Sequence, residues 1–106
     1  MAKVGVLGAG SWGTALSVLL HDNGHQVTIW SIDGNEVKML DEKREHELKL
    51  PGVKLADDMT ITGDLETAIR EKDFLVLAVP SPFTRATARK MKPYVADGQI
   101  IVDVAK

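Results

Sequence analysis

The chain has no cysteine, one tyrosine, two tryptophans and two phenylalanines among 106 residues. Without thiols there is no disulfide framework and no thiolate metal site, a pattern that suits a reducing compartment. Long hydrophobic runs are missing too. The longest, Ala15–Leu20 with Ser17 inside it and Phe74–Val79, span six residues each, far short of the ~20 that cross a bilayer. The polar start Met1-Ala2-Lys3 does not read as a secretory leader, so a cytoplasmic location is expected. Neither sign of charge dominates: 13 basic against 15 acidic side chains leave a net charge of −2. Such a balance creates no field for nucleic acid or an acidic membrane surface, and neither is expected as a partner. What remains is 44% apolar content, enough for one small globular domain that buries roughly 65% of its unfolded surface.

The hydrophobic pattern alternates between two periods along the chain. Lys3–Leu7 reads as a nearly continuous apolar strand that stops in a glycine loop. From Ser11 the period changes, with Trp12, Ala15, Leu16, Leu19 and Leu20 on one face of an amphipathic helix that Asn23-Gly24 ends. Gln26–Ser31 carries β-branched Val27, Thr28 and Ile29 and then Trp30, the composition of a second strand. Asp33 and Glu36 have capping-box spacing, which predicts a helix from Asp33 to about Glu47. After the loop at Leu50-Pro51-Gly52, Met59–Thr62 is a short strand and Leu65, Ala68 and Ile69 mark a helix. Phe74–Val79 has the unbroken apolar character of an interior strand covered on both faces. Ser81 as N-cap with Pro82 at the first helical position opens a helix to about Met91, and Gln99–Ala105 is the last strand. Five strands alternating with four helices force parallel pairing through right-handed crossovers. The predicted class is therefore α/β, a doubly wound parallel sheet of the Rossmann dinucleotide-binding type with strand order 3-2-1-4-5, in one domain over residues 1–106.

Gly8-Ala9-Gly10-Ser11-Trp12-Gly13 is a G-x-G-x-x-G run placed directly after a strand and opening a helix, the context that gives the motif its meaning. Gly8 makes the tight turn, Gly10 admits a pyrophosphate to the backbone, and Gly13 lets the helix pack closely on the sheet. The free N–H groups of the first helical turn then face the phosphates. No Gly-Lys-Ser/Thr follows, which disfavours a P-loop nucleotide site. At the end of the second strand stand Ser31, Ile32 and Asp33. Asp33, twenty residues after Gly13, is either the acid that hydrogen-bonds an adenosine ribose or simply a helix cap, and both readings stay open. No arginine is there to take a 2′-phosphate, so the electrostatics favours NAD over NADP, although Ser31 can donate to a phosphate and Lys38 can swing in.

These residues, together with Leu50-Pro51-Gly52, Val79-Pro80-Ser81 and Val104-Ala105-Lys106, resemble the N-terminal domain of bacterial NAD(P)-dependent glycerol-3-phosphate dehydrogenase over the whole chain. The Gly-Ala-Gly-Ser-Trp-Gly-Thr-Ala run is the most specific part of the likeness. The resemblance implies reversible hydride transfer between NAD or NADP and dihydroxyacetone phosphate or glycerol 3-phosphate, in phospholipid precursor synthesis. By position it implies that Ser11 and Trp12 lie at the cofactor phosphates, that Pro80 and Phe83 lie beside the nicotinamide half, and that Lys106 contacts cofactor and substrate and is catalytic. Ile32 and Asp33 occupy the adenosine positions where the family often has histidine or arginine, a departure from its 2′-phosphate pattern. The family continues past this lysine into a helical substrate domain with a second catalytic lysine. The 106 residues thus read as the cofactor domain of such an enzyme, inactive by itself, with a homodimer left open.

Two further readings compete: a related dehydrogenase of the ketopantoate or pyrroline carboxylate reductase type, which the Ser-Trp-Gly-Thr-Ala run argues against, and a non-catalytic dinucleotide sensor. Other features read as structural. His21, Asn23 and His25 straddle a helix end, which breaks the i, i+4 spacing of a metal pair, so no metal is expected. His46 falls in a charged stretch and is expected at the surface. Arg85, Arg89, Lys90 and Lys92 form a solvated basic face or a lure for a substrate phosphate. Trp30 and Met91 are expected in the core.

Overall fold

A computed structural model describes residues 2–104. Its five strands are β1 (Lys3–Leu7), β2 (Gln26–Trp30), β3 (Thr60–Thr62), β4 (Phe74–Leu77) and β5 (Ile100–Asp103). They alternate with α1 (Ser11–Asp22), α2 (Gly34–Lys43), α3 (Leu65–Ile69) and α4 (Ser81–Met91). All pairings are parallel and the order is β3-β2-β1-β4-β5, as the alternation of periods predicts.

The two faces of the sheet follow from the two-residue repeat of a strand. Val4, Val6, Val27, Ile29 and Val76 point to one face, where Leu40 of α2 and Leu16, Val18 and Leu20 of α1 cover them. Leu7, Trp30, Leu75 and Leu77 point to the other, packed with Ala68 and Ile69 of α3 and Met91 of α4. Each fully buried Val, Leu or Ile contributes roughly 1.5–3 kcal/mol relative to exposure, so this two-sided packing fixes the register. Trp30 and Met91 lie in the core, as the sequence implies.

Several boundaries differ from the sequence-based expectation. α1 buries only part of the predicted stripe: Leu16 and Leu20 pack against the core, but Trp12 and Leu19 are exposed and the fully buried positions are Gly13, Thr14 and Ser17. Small residues let the helix lie close to the sheet, with the Ser17 hydroxyl donating to the Gly13 carbonyl at 2.8 Å and that of Thr14 to Ala9 at 3.1 Å. α2 stops at Lys43 because Arg44 adopts a left-handed conformation, φ 54° and ψ 37°. From there the Arg44 guanidinium donates to the Met59 carbonyl at 2.7 Å and its own carbonyl accepts the Leu55 amide at 2.6 Å. These two bonds lead the chain toward β3. α4 begins at Ser81 with Pro80 as N-cap, which places Pro82 inside the first turn, one position further than expected. β4 ends at Leu77 and β5 covers Ile100–Asp103, while Ala105, the expected end of that strand, lies outside the described residues. Every residue of β5 is exposed, whereas Leu75, Val76 and Leu77 of β4 are buried and Phe74 at its start is exposed.

Candidate functional site

The carboxyl ends of β1 and β4 lie side by side, and the loops that follow them run to α1 and α4. This is the point where the strand order reverses, outside which ligands of doubly wound sheets collect. The loop after β1 is built around Gly8, whose φ is +125°. A Cβ there would stand 2.7 Å from the Ala78 carbonyl carbon and oxygen and 2.8 Å from the Val79 nitrogen. Only glycine allows both that backbone angle and that approach. The Gly8 amide donates to the Trp30 carbonyl at 2.9 Å and the Ala78 amide to Leu7 at 2.8 Å. The loops after β1 and β4 are therefore locked to each other and to the end of β2.

Gly13 serves a second contact. A Cβ on it would fall 2.0 Å from the Gly8 carbonyl oxygen, so the first turn of α1 rests on its own loop. Gly10 is different: a Cβ there would meet only the far end of Lys49, at 3.9–4.0 Å. The space over Gly10 is thus open except for one flexible side chain. Gly10 is also the N-cap of α1, with extended backbone (φ −71°, ψ −170°), no capping side chain and no acidic residue in the first turn. A helix start of this kind leaves backbone N–H groups and the positive end of the dipole available to an anion. Close glycines beneath, open space above and an uncapped positive terminus fit a diphosphate. Ser11 and Trp12 stand exposed on this turn, Trp12 at 51%.

Across the cleft, Ser31 at the end of β2 is buried and Ile32 beside it is 73% exposed. The Asp33 carboxylate caps α2, accepting the amides of Asn35 at 2.9 Å and Glu36 at 3.4 Å. Only half of the predicted capping box forms, because Glu36 does not return to the Asp33 amide. The Ser31 hydroxyl takes that place, accepting from Asp33 N at 3.1 Å and donating to Glu36 Oε1 at 2.5 Å. The other oxygen of Glu36 lies 2.8 Å from His46 Nε2 and 3.8 Å from Lys49 Nζ.

His46 corrects an expectation: it is buried, 1% exposed. Its Nδ1 accepts the Lys49 amide at 3.2 Å, and its carbonyl accepts the Leu50 amide in a small antiparallel bridge. The segment after α2 therefore folds back over the head of its own helix. Sequence reasoning did not single out Glu36, His46 and Lys49 as neighbours of the cleft. Their assembly depends on the left-handed turn at Arg44, which a helix running on to Glu47 would have abolished.

At the mouth of β4, Pro80 is exposed and Phe83 on α4 is 60% exposed, beside the loop that touches Gly8. The Val104 amide donates to the Leu77 carbonyl at 3.0 Å, which brings the chain after β5 to the same edge. Lys106 itself lies outside the described residues. His21 and His25 do not converge: His21 Nε2 pairs with Asp58 at 2.7 Å, and His25 Nδ1 accepts the Ala2 amide at 3.0 Å. Among the described residues no helix is long and apolar enough to cross a membrane.

An all-parallel sheet in this order, with the glycine loop at its switch point, defines a domain of the Rossmann type found in dehydrogenases. Residues 3–106 match the family described as NAD-dependent glycerol-3-phosphate dehydrogenase N-terminus, and the chain belongs to that family. Among its relatives, glycerol-3-phosphate dehydrogenase (NAD(P)+) of Agathobacter rectalis is 63% identical over all 106 residues, which cover 32% of that protein. The same enzyme of Fusobacterium nucleatum is 47% identical, again over the whole chain and 32% of the relative. The crystal structure of glycerol-3-phosphate dehydrogenase from Coxiella burnetii superposes with a TM-score of 0.94 at 27% identity, covering 99% of this chain and 32% of that one. The chain thus spans about a third of the length of these relatives.

Proposed function

We propose that this domain holds the coenzyme of an enzyme that interconverts dihydroxyacetone phosphate and glycerol 3-phosphate with NAD(P)H. The observation that carries the reading is the pairing of an uncapped helix start at Gly10 with glycines at 8 and 13 that tolerate no Cβ. In this reading the amides of Ser11, Trp12 and Gly13 face the diphosphate, Ile32 and Asp33 border the adenosine, and Pro80 and Phe83 border the nicotinamide half. A nicotinamide bound there supplies or accepts the hydride.

The protein's own part is then positional and electrostatic. The interlocked loops after β1 and β4 fix where the coenzyme can lie, since Gly8 is seated on Ala78 and Val79. The chain reaches the carboxyl edge at Val104, and by likeness to the family the ammonium of Lys106 would face the substrate oxygen that gains a proton on reduction, opposing the charge that develops there. A helical domain beyond the cofactor domain, within the two thirds of the relatives not covered by this chain, would supply the remaining substrate contacts and shield the reaction from water. The setting is cytoplasmic in this reading, in keeping with the thiol-free composition.

The reading is tested by titrating the 106-residue chain with NADH and with NADPH to millimolar concentration while following backbone amide resonances. Shifts concentrated at residues 8–13 support it. Resonances of that loop that stay in place with both coenzymes overturn it.

A further inference from the structure

We propose that Lys49 is the residue that admits a 2′-phosphorylated coenzyme to this domain. The inference rests on the dinucleotide reading above and assigns the chemistry of its ribose end. Acceptance of a 2′-phosphate needs a cation beside the end of β2, and Ser31, Ile32 and Asp33 provide none. Asp33 is an anion committed to the amides of α2. Ser31 has one hydroxyl proton, and Glu36 takes it at 2.5 Å, so Ser31 has nothing to donate to a phosphate.

Lys49 supplies the missing charge from eighteen positions further along the chain. Its Nζ lies 3.8 Å from Glu36 Oε2 and 3.9 Å from the position of a Cβ on Gly10. The ammonium therefore spans the gap between the glycine loop and the head of α2, which the adenosine ribose of a bound dinucleotide bridges in this fold. Its backbone is held firmly. The Lys49 amide donates to His46 Nδ1 at 3.2 Å while Nε2 of the same buried ring faces Glu36 at 2.8 Å, and the tautomer with its hydrogen on Nε2 satisfies both contacts. The side chain is still free to turn: it is 56% exposed and meets Glu36 at ion-pair rather than hydrogen-bond distance. A fixed base with a mobile ammonium, above open space, is what a phosphate on the ribose would engage as a point charge.

The test is calorimetric titration of the 106-residue chain and of its Lys49→Met and Lys49→Arg variants with NADPH and NADH at low and high salt, with melting curves alongside. Lys49→Met is expected to weaken NADPH by about tenfold, the scale of one partly exposed charge-assisted contact, and NADH by less than about twofold, with the difference shrinking at high salt. Lys49→Arg is expected to keep most of the NADPH affinity. Equal weakening of both coenzymes would put the ammonium on the shared diphosphate and overturn the assignment, as would unchanged NADPH binding. If the unaltered chain bound neither coenzyme, the dinucleotide reading itself would fall, an outcome separate from the other two.

Discussion

The three glycines of the loop make different demands, and substituting alanine at Gly13 and at Gly10 separates them. At Gly13 the new methyl would stand 2.0 Å from the Gly8 carbonyl oxygen, well inside van der Waals contact and against backbone that Trp30 and Ala78 hold in place. Relief requires α1 to lift from the loop. Overpacking of this kind costs about 1–3 kcal/mol, and the rigid partner argues for the upper end. At about 4–8 °C per kcal/mol for a domain of this size, Gly13→Ala should melt on the order of 10–20 °C lower. At Gly10 the methyl would meet only Lys49, at 3.9–4.0 Å, and its backbone angles suit any residue. The loss of glycine at an N-cap, roughly 0.5–1.5 kcal/mol, is largely offset by a less flexible unfolded chain, about 0.4–1 kcal/mol. Gly10→Ala should therefore melt within a few degrees of the parent chain. The same methyl occupies the space a diphosphate needs, so coenzyme affinity should fall at least about tenfold, or roughly 1.4 kcal/mol. Urea and thermal unfolding followed by circular dichroism, with calorimetry for NADH and NADPH, read both quantities. A Gly10→Ala chain that unfolds as early as Gly13→Ala, or that binds both coenzymes unchanged, would refute the assignment of Gly10 to the ligand and Gly13 to the fold.

Two other outcomes follow from side chains outside the loop. His46→Ala removes a buried ring and leaves Glu36 Oε2 and the Lys49 amide without their shared partner, which should lower stability by about 2–3 kcal/mol. Urea denaturation checks this, and a change under about 0.5 kcal/mol would restore the solvated reading of that segment. The Glu45 carboxyl is held below its ordinary value of 4.5, first by a hydrogen bond from Lys54 and then by one from the Gly52 amide. A carboxylate with a lowered folded value keeps its contribution above pH 4.5 and loses it as pH falls through that lowered value. Amide exchange of residues 45–54 should therefore quicken in acid. A carbon-detected titration of Glu45 should move upward in Lys54→Met, and an unmoved curve would show that Lys54 is not the cause.

The architecture was readable because the interior strands leave little choice. Val4, Val6 and Leu7, and likewise Leu75 to Leu77, are apolar on both alternating faces, a pattern that only strands covered on two sides need. The glycine run was readable for a related reason: its spacing encodes backbone approaches that no other residue permits. α1 misled because burial there follows closeness and not hydrophobicity. Gly13, Thr14 and Ser17 are small enough to touch the sheet, so the larger Trp12 and Leu19 turn outward. The extent of α2 and the burial of His46 were hidden for one reason, the left-handed turn at Arg44. Arginine carries no local signal for that conformation. The turn is held by contacts to Leu55 and Met59, more than ten residues away. Without that turn in view nothing brings Lys49 to the cleft, and the sequence offered Lys38 as a cation for the ribose end.

The seat of Gly8 on Ala78 and Val79 also orders events in time. As the polypeptide leaves the ribosome, β1 can pair with β2 once some thirty residues are free, but its other neighbour, β4, begins only at Phe74. Until then the bend is held to β2 through the Gly8 amide and the Trp30 carbonyl but lacks the floor that Ala78 and Val79 give it. The final seat of the loop thus depends on a contact across seventy residues as well as on the local hexapeptide.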